Sequence, residues 1–227
     1  MTNRPTSPLD ASIPPWWRTS RTWVGVMVLL HIVAVVGIAL GYARELMAYT
    51  PLNLMLCAGI VMAFTGAESP WRWGLTMFLG FAVEVIGVTT GLLFGSYSYG
   101  TGLGPKALGV PLLMGVLWWL LLMGTHHWTA RWLPQKVRPV LRAAVAATAM
   151  TLLDALIEPV AIRAGWWNWH DGSIPWTNYL TWWLAAWAMG MLWRDVDDLK
   201  TNRPAGMLLW VFVLFFLLLN ILPWNLS

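Results

Sequence analysis

Long apolar runs separated by short breaks rich in charge, glycine or proline dominate the pattern along this chain. A bilayer core of about 30 Å needs roughly 20 apolar residues to cross as a helix. Seven runs answer to that description: 22–41, 52–66 (which is short), 71–93, 108–132, 139–162, 175–193 and 204–223. The pattern predicts an all-α, polytopic membrane helix bundle with about seven transmembrane helices. Residues 1–21 read as a polar, proline-rich arm, 22–223 as a single transmembrane domain and 224–227 as a short tail. The first run is too long for a signal peptide and lacks a small-residue cleavage site, so it reads as a retained helix.

Composition agrees. Hydrophobic residues make up 58% of the chain and charged residues 11%, under half the roughly 25% of a soluble domain. That excludes a disordered chain and gives no basis for nucleic-acid binding. The single cysteine, Cys57, lies inside an apolar run and can form no internal disulfide. The few cations set an orientation. In the seven-helix reading the N-terminal side carries Arg4, Arg18, Arg21, Arg72, Arg131, Lys136, Arg138, Arg142, Arg194, Lys200 and Arg203, against Arg44, Lys106 and Arg163 opposite. The positive-inside rule then places the N-terminus in the cytoplasm and the chain in the cell membrane.

Ionisable groups at membrane depth are costly and mark function. Glu84 falls roughly 16–20 Å from the cytoplasmic end of its helix at 1.5 Å per residue, and Asp154 roughly 18 Å beyond Arg142. Glu158 is one turn further out, on the same helix face as Asp154. Three carboxyls from two helices can thus converge in the outer half of the membrane. Only Lys106 and Arg163 lie near enough to pair with them. Acids crowded in an apolar cavity share protons, leaving at least one neutral acid and one anionic base, the equipment for general acid–base chemistry on a membrane-soluble substrate.

Two segments fall on the same side as the acids. The first, Phe94-Gly-Ser-Tyr-Ser-Tyr-Gly100, sits among five glycines between Gly91 and Gly104 and reads as a turn-rich loop. Tyr97 and Tyr99 alternate there, one facing a cavity and the other the headgroups. The second, Gly165-Trp-Trp-Asn-Trp-His-Asp-Gly172, leads to Pro175 and Asn178. Trp166, Trp167 and Trp169 form an aromatic wall suited to a polyene or a developing cation. Trp16, Trp17, Trp71, Trp73 and Trp132 read as interfacial anchors. His31 reads as a hydrogen-bonded histidine in an apolar span, and His126-His127 point different ways on a helix and make no metal site. His170-Asp171 are candidates to orient a relay at the outer mouth. Asp195, Asp197 and Asp198 read as solvated. No nucleotide, zinc, thiol or serine-hydrolase fingerprint is present.

Several of these residues together resemble the membrane-embedded carotenoid hydratases of the CruF type, the bisanhydrobacterioruberin hydratases among them. The resemblance rests on Glu84-Val-Ile-Gly87, on the Phe94–Tyr99 segment with Leu103-Gly104, and on Gly109-Val-Pro111. It continues with Asp154-Ala-Leu-Ile-Glu158-Pro159, Gly165-Trp-Trp-Asn-Trp169, Pro175, Asn178 and Trp182, roughly residues 80 to 185. The family pattern more often has Asp before that proline, where this chain has Glu158. The resemblance implies addition of water across the C1′=C2′ double bond of an acyclic carotenoid ψ-end, giving a tertiary alcohol without a metal or other cofactor. It implies Asp154, Glu158 and Glu84 as catalytic residues, and Tyr97, Tyr99, Trp166, Trp167, Trp169 and Asn178 around the substrate. The substrate would be lycopene, γ-carotene or a bisanhydrobacterioruberin-like carotenoid, with other pathway enzymes as partners. A carotenoid cyclase would use the same protonation, and a proton-coupled lipid transporter or a pigment-enzyme scaffold would keep acids in a membrane for other ends.

Overall fold

A computed structural model of the chain describes residues 19–65, 70–134, 136–193 and 202–226. Arg4, Trp16, Trp17, Arg18, Arg194, Asp195, Asp197, Asp198 and Lys200, and most of the expected N-terminal arm, lie outside those residues. Among the described residues the helices are α1 (Ser20–Ala39), α2 (Ala43–Ala48), α3 (Thr50–Ala63), α4 (Pro70–Thr90), α5 (Leu113–Trp132), α6 (Pro139–Arg163), α7 (Trp176–Gly190, extended by a 3-10 turn) and α8 (Arg203–Ile221). Two residues assigned to the arm, Ser20 and Arg21, form the first turn of α1.

The apolar run that became α5 has no polar face, and it occupies the centre. Fifteen of its twenty residues are buried, as expected of a helix whose first half is hydrophobic all round. Small residues let its neighbours approach closely: Gly80 of α4 lies on Trp118, Gly115 of α5 on Met77 and Phe81, and Gly206 of α8 on His127. α4, α6 and α8 pack around α5, α7 packs on α6, and α1 packs on α8.

The seven expected runs correspond to α1 and α3 to α8. Among the described residues α1, α4, α6 and α8 are long and apolar enough to cross a membrane. α3 has fourteen residues and α7 fifteen, and the second half of α5 carries Thr125, His126, His127, Thr129 and Arg131. Trp71 and Trp132 are exposed, whereas Trp73 turns inward against Trp119. Arg44 and Arg163 both reach the C-terminal tail, through Leu226 O and Leu222 O, and Lys106 donates to Tyr99 O.

The bundle is helical, as expected, and its two glycine-rich segments carry short paired strands rather than irregular loops. β1 (Tyr97–Tyr99) pairs antiparallel with β4 (Trp167–Trp169), and β2 (Lys106–Ala107) with β3 (Val110–Pro111). α6 ends in a Schellman turn that aims β4: Gly165 takes φ +64°, its N–H donates to Ile162 O (3.0 Å), and that of Trp166 to Ala161 O (2.9 Å). Gly100 closes the ribbon, donating to Trp166 O at 2.8 Å. A Cβ on Gly100 would collide with the backbone carbonyl of Gly165.

Gly100→Ala therefore pushes β1 off β4. It should cost about 2 kcal/mol and lower the Tm by roughly 4–8 °C in a detergent melt. Gly25→Ala, with nothing within 4 Å, should leave the Tm unchanged or raise it slightly.

Candidate active site

The β1–β4 ribbon presents one face to the bundle. Residues two apart on a strand point the same way, so Tyr97 and Tyr99 are both buried and Ser98 is exposed; β4 repeats this with Trp167 and Trp169 inward and Asn168 outward. The expectation that the two tyrosines face opposite ways is thereby overturned, because the segment is a strand. Register pairs Tyr97 with Trp169 and Tyr99 with Trp167, with ring centroids 5.1 and 6.0 Å apart.

Each inward side chain carries a donor, and each donor meets a carboxylate. The Tyr97 and Tyr99 hydroxyls donate to Glu84 Oε2 at 2.6 and 2.7 Å, and the Trp118 indole N–H donates to Oε1 at 2.9 Å. The Trp167 and Trp169 indoles donate to Glu158 Oε2 at 2.9 and 3.0 Å. Asn178 Nδ2 bridges Glu158 Oε1 (3.2 Å) and Asp154 Oδ2 (3.3 Å). Burial, and after it the adjacent Glu84, push the Tyr97 and Tyr99 hydroxyls up, so both stay protonated donors. Glu84 and Glu158 thus have three donors each, and Asp154 shares one.

All three carboxyls line one cavity, with Glu84, Asp154, Glu158 and Asn178 at most 2% exposed. Phe94, Met114 and Trp182 complete its wall. Trp182 stacks on Trp118, centroids 3.9 Å apart and planes within 8°. The cavity left among them is about 10 Å³, about the least that admits a single water. Gly87, one turn beyond Glu84, makes this possible, since a Cβ there would strike the Phe94 ring and crowd the Tyr97 hydroxyl.

Of the nine residues expected to act on or surround the substrate, Trp166 alone does not line this cavity: its side chain packs on Gly102 and edge-on to Phe216. His170 is held by Ser96 and Ser98, at 2.9 and 3.2 Å, tying the ribbon's outer edge. Lys106 and Arg163 spend their donors on backbone carbonyls. Sequence reasoning missed Trp118, because nothing distinguishes it within an apolar run that also holds Trp119. Its spacing from Gly115 offers no signal until α4 is known to pack there.

A family model described as "Carotenoid biosynthesis protein" matches residues 47–226, which include every residue of the cavity. The chain belongs to that family. It is 26% identical over 175 residues to the bisanhydrobacterioruberin hydratase of Haloarcula japonica, over 71% of this chain. The chain spans 59% of the length of that curated relative. No solved structure matches it.

Removing one donor leaves a buried oxygen of Glu84 short of a hydrogen bond. Tyr97→Phe should cost about 1–3 kcal/mol in a thermal melt, and much less in a Glu84→Leu background, where no carboxyl needs the donor. The coupling should be roughly 0.5–3 kcal/mol; equal costs in both backgrounds would mean the hydroxyl does not serve Glu84.

Proposed function

We propose that this protein is a carotenoid hydratase, adding water across the C1′=C2′ double bond of an acyclic ψ-end. The observation that carries the reading is the unequal provision of donors to three carboxyls around a space the size of one water. Hydrogen bonds to a carboxylate favour its charged form, so Glu84 and Glu158 are the groups equipped to be anions. Asp154, sharing a single long bond, is the carboxyl left to hold a proton. Membership in a carotenoid biosynthesis family and the likeness to a hydratase supply the substrate class.

The Asp154 carboxyl gives its proton to C2′, the less substituted alkene carbon, and the π electrons form the new C–H bond. The tertiary cation at C1′ is held by the Glu84 and Glu158 carboxylates and by aromatic faces, each worth roughly 2 kcal/mol when desolvated. Water adds its oxygen to C1′, and the proton it loses passes to a carboxylate and back to Asp154. Nothing is oxidised or reduced. An alkene is a weak base, so the acid succeeds only where the cation is stabilised in advance, the use to which preorganised charge is put in enzymes.

In this reading α1 and α3 to α8 cross the cell membrane, with the N-terminus cytoplasmic and the site in the outer half of the bilayer. Arg44, Lys106 and Arg163 lie at the ribbon end of the bundle, and the larger number of cations on the N-terminal side supports that orientation.

Co-expression with a lycopene-producing pathway, with pigments read by mass spectrometry, tests the function. A product heavier by one water per reacted end should form, and Asp154→Asn should lower it by roughly 10²–10⁴-fold at equal membrane expression. An isomer of unchanged mass would mean a cyclase, and acyclic carotenoids left unaltered would overturn the reading.

A further inference from the structure

Trp167 also lines a second, larger space. This groove of about 300 Å³ lies between α1, α3 and α8 and is almost wholly apolar, at the lower end of ligand-sized pockets. α1 packs on α8 and α3 on α5, and between α1 and α3 the groove opens sideways. Its rim residues Leu30 and Val33 on α1, and Leu52 and Leu56 on α3, are all partly or well exposed, on a face a bilayer would cover.

The inner wall backs on the carboxyl cavity. Ile157 precedes Glu158, Leu117 precedes Trp118, and Trp167 belongs to both spaces. Its strongest polar side chains are turned on each other: His31 Nδ1 donates to Met27 O (2.8 Å), and Nε2 accepts from Asn53 Nδ2 (3.3 Å). The faces left for a ligand are mostly hydrocarbon and aromatic, with Trp166 and Phe216 among them, and Asn53 Oδ1 and Trp166 Nε1 are buried polar atoms of this lining without a hydrogen-bond partner.

We propose that this groove binds the isoprenoid chain of the carotenoid, admitted sideways from the bilayer between α1 and α3, so that Trp167 separates the bound chain from the carboxyls until its end inserts. The identity of the ligand rests on the hydratase reading. Flat conjugated chains gain contact from aromatic walls that a saturated lipid tail does not exploit, and only a chain whose end must reach Glu158 gives the shared tryptophan a purpose. Trp166, which stands away from the carboxyls, acquires its role here.

Ala34 lines the groove and touches none of the carboxyl cavity. The test uses full-length Asp154→Asn protein, isolated in mild detergent from lycopene-producing cells, and measures co-purified pigment per protein by visible absorbance. Pigment should accompany it. Adding Ala34→Phe should lower the amount about tenfold or more, Ala34→Leu should lower it less, and Phe78→Leu on the exposed face of α4 should not change it. Should Ala34→Phe fail to reach the membrane, Ala34→Leu decides. Equal pigment with and without the Ala34 changes overturns the groove, as does protein that carries phospholipid but no pigment. Pigment that depends on position 34, in cells where the wild type forms no hydrated product, would uphold the groove and sink the hydratase reading.

Discussion

A carboxylate taken out of water must be given hydrogen-bond donors or give up its charge, and this structure is arranged around that constraint. Glu84 and Glu158 each collect three donors, all from neutral side chains. The use of indoles and phenols in place of arginine or lysine has a chemical consequence. A fixed cation would neutralise the carboxylates, whereas neutral donors hold the acids and leave negative charge available to the carbocation of the proposed hydration. The same rings supply the faces that a cation prefers.

Delivering four such donors from one direction calls for a strand pair, since only a period of two sets residues 97, 99, 167 and 169 on one face. The Schellman turn at Gly165, the close approach of Gly100 to it, and the His170 contacts to Ser96 and Ser98 exist to hold that ribbon against the bundle. Beneath it, α5 contributes Trp118 because Gly80 lets α4 come close. Apolar packing thus positions the polar site, with the cost of three buried acids carried by a surrounding core of large side chains.

Much of this was legible in the sequence, for reasons that also mark the limit. Glu84, Asp154 and Glu158 stand out because a charge within an apolar run is improbable without purpose, and helical rise alone puts them at matching depth. Asn178, Trp167 and Trp169 were reachable as neighbours on the same side. The shared facing of Tyr97 and Tyr99 was not, because three-residue strands among glycines carry no periodic signal and pair with a segment seventy residues away. Trp118 was hidden by the uniform hydrophobicity that makes α5 central. The groove is a tertiary product of α1, α3 and α8, and no local pattern encodes it.

The most direct measurement is an infrared comparison of the purified protein near neutral pH, following the C=O stretch that only a protonated carboxylic acid shows. The account predicts a buried band that disappears in Asp154→Asn and survives in Glu84→Gln and Glu158→Gln, because the donors that hold those two as anions leave the proton to Asp154. A band that persists in Asp154→Asn and vanishes on changing Glu84 or Glu158 would contradict it.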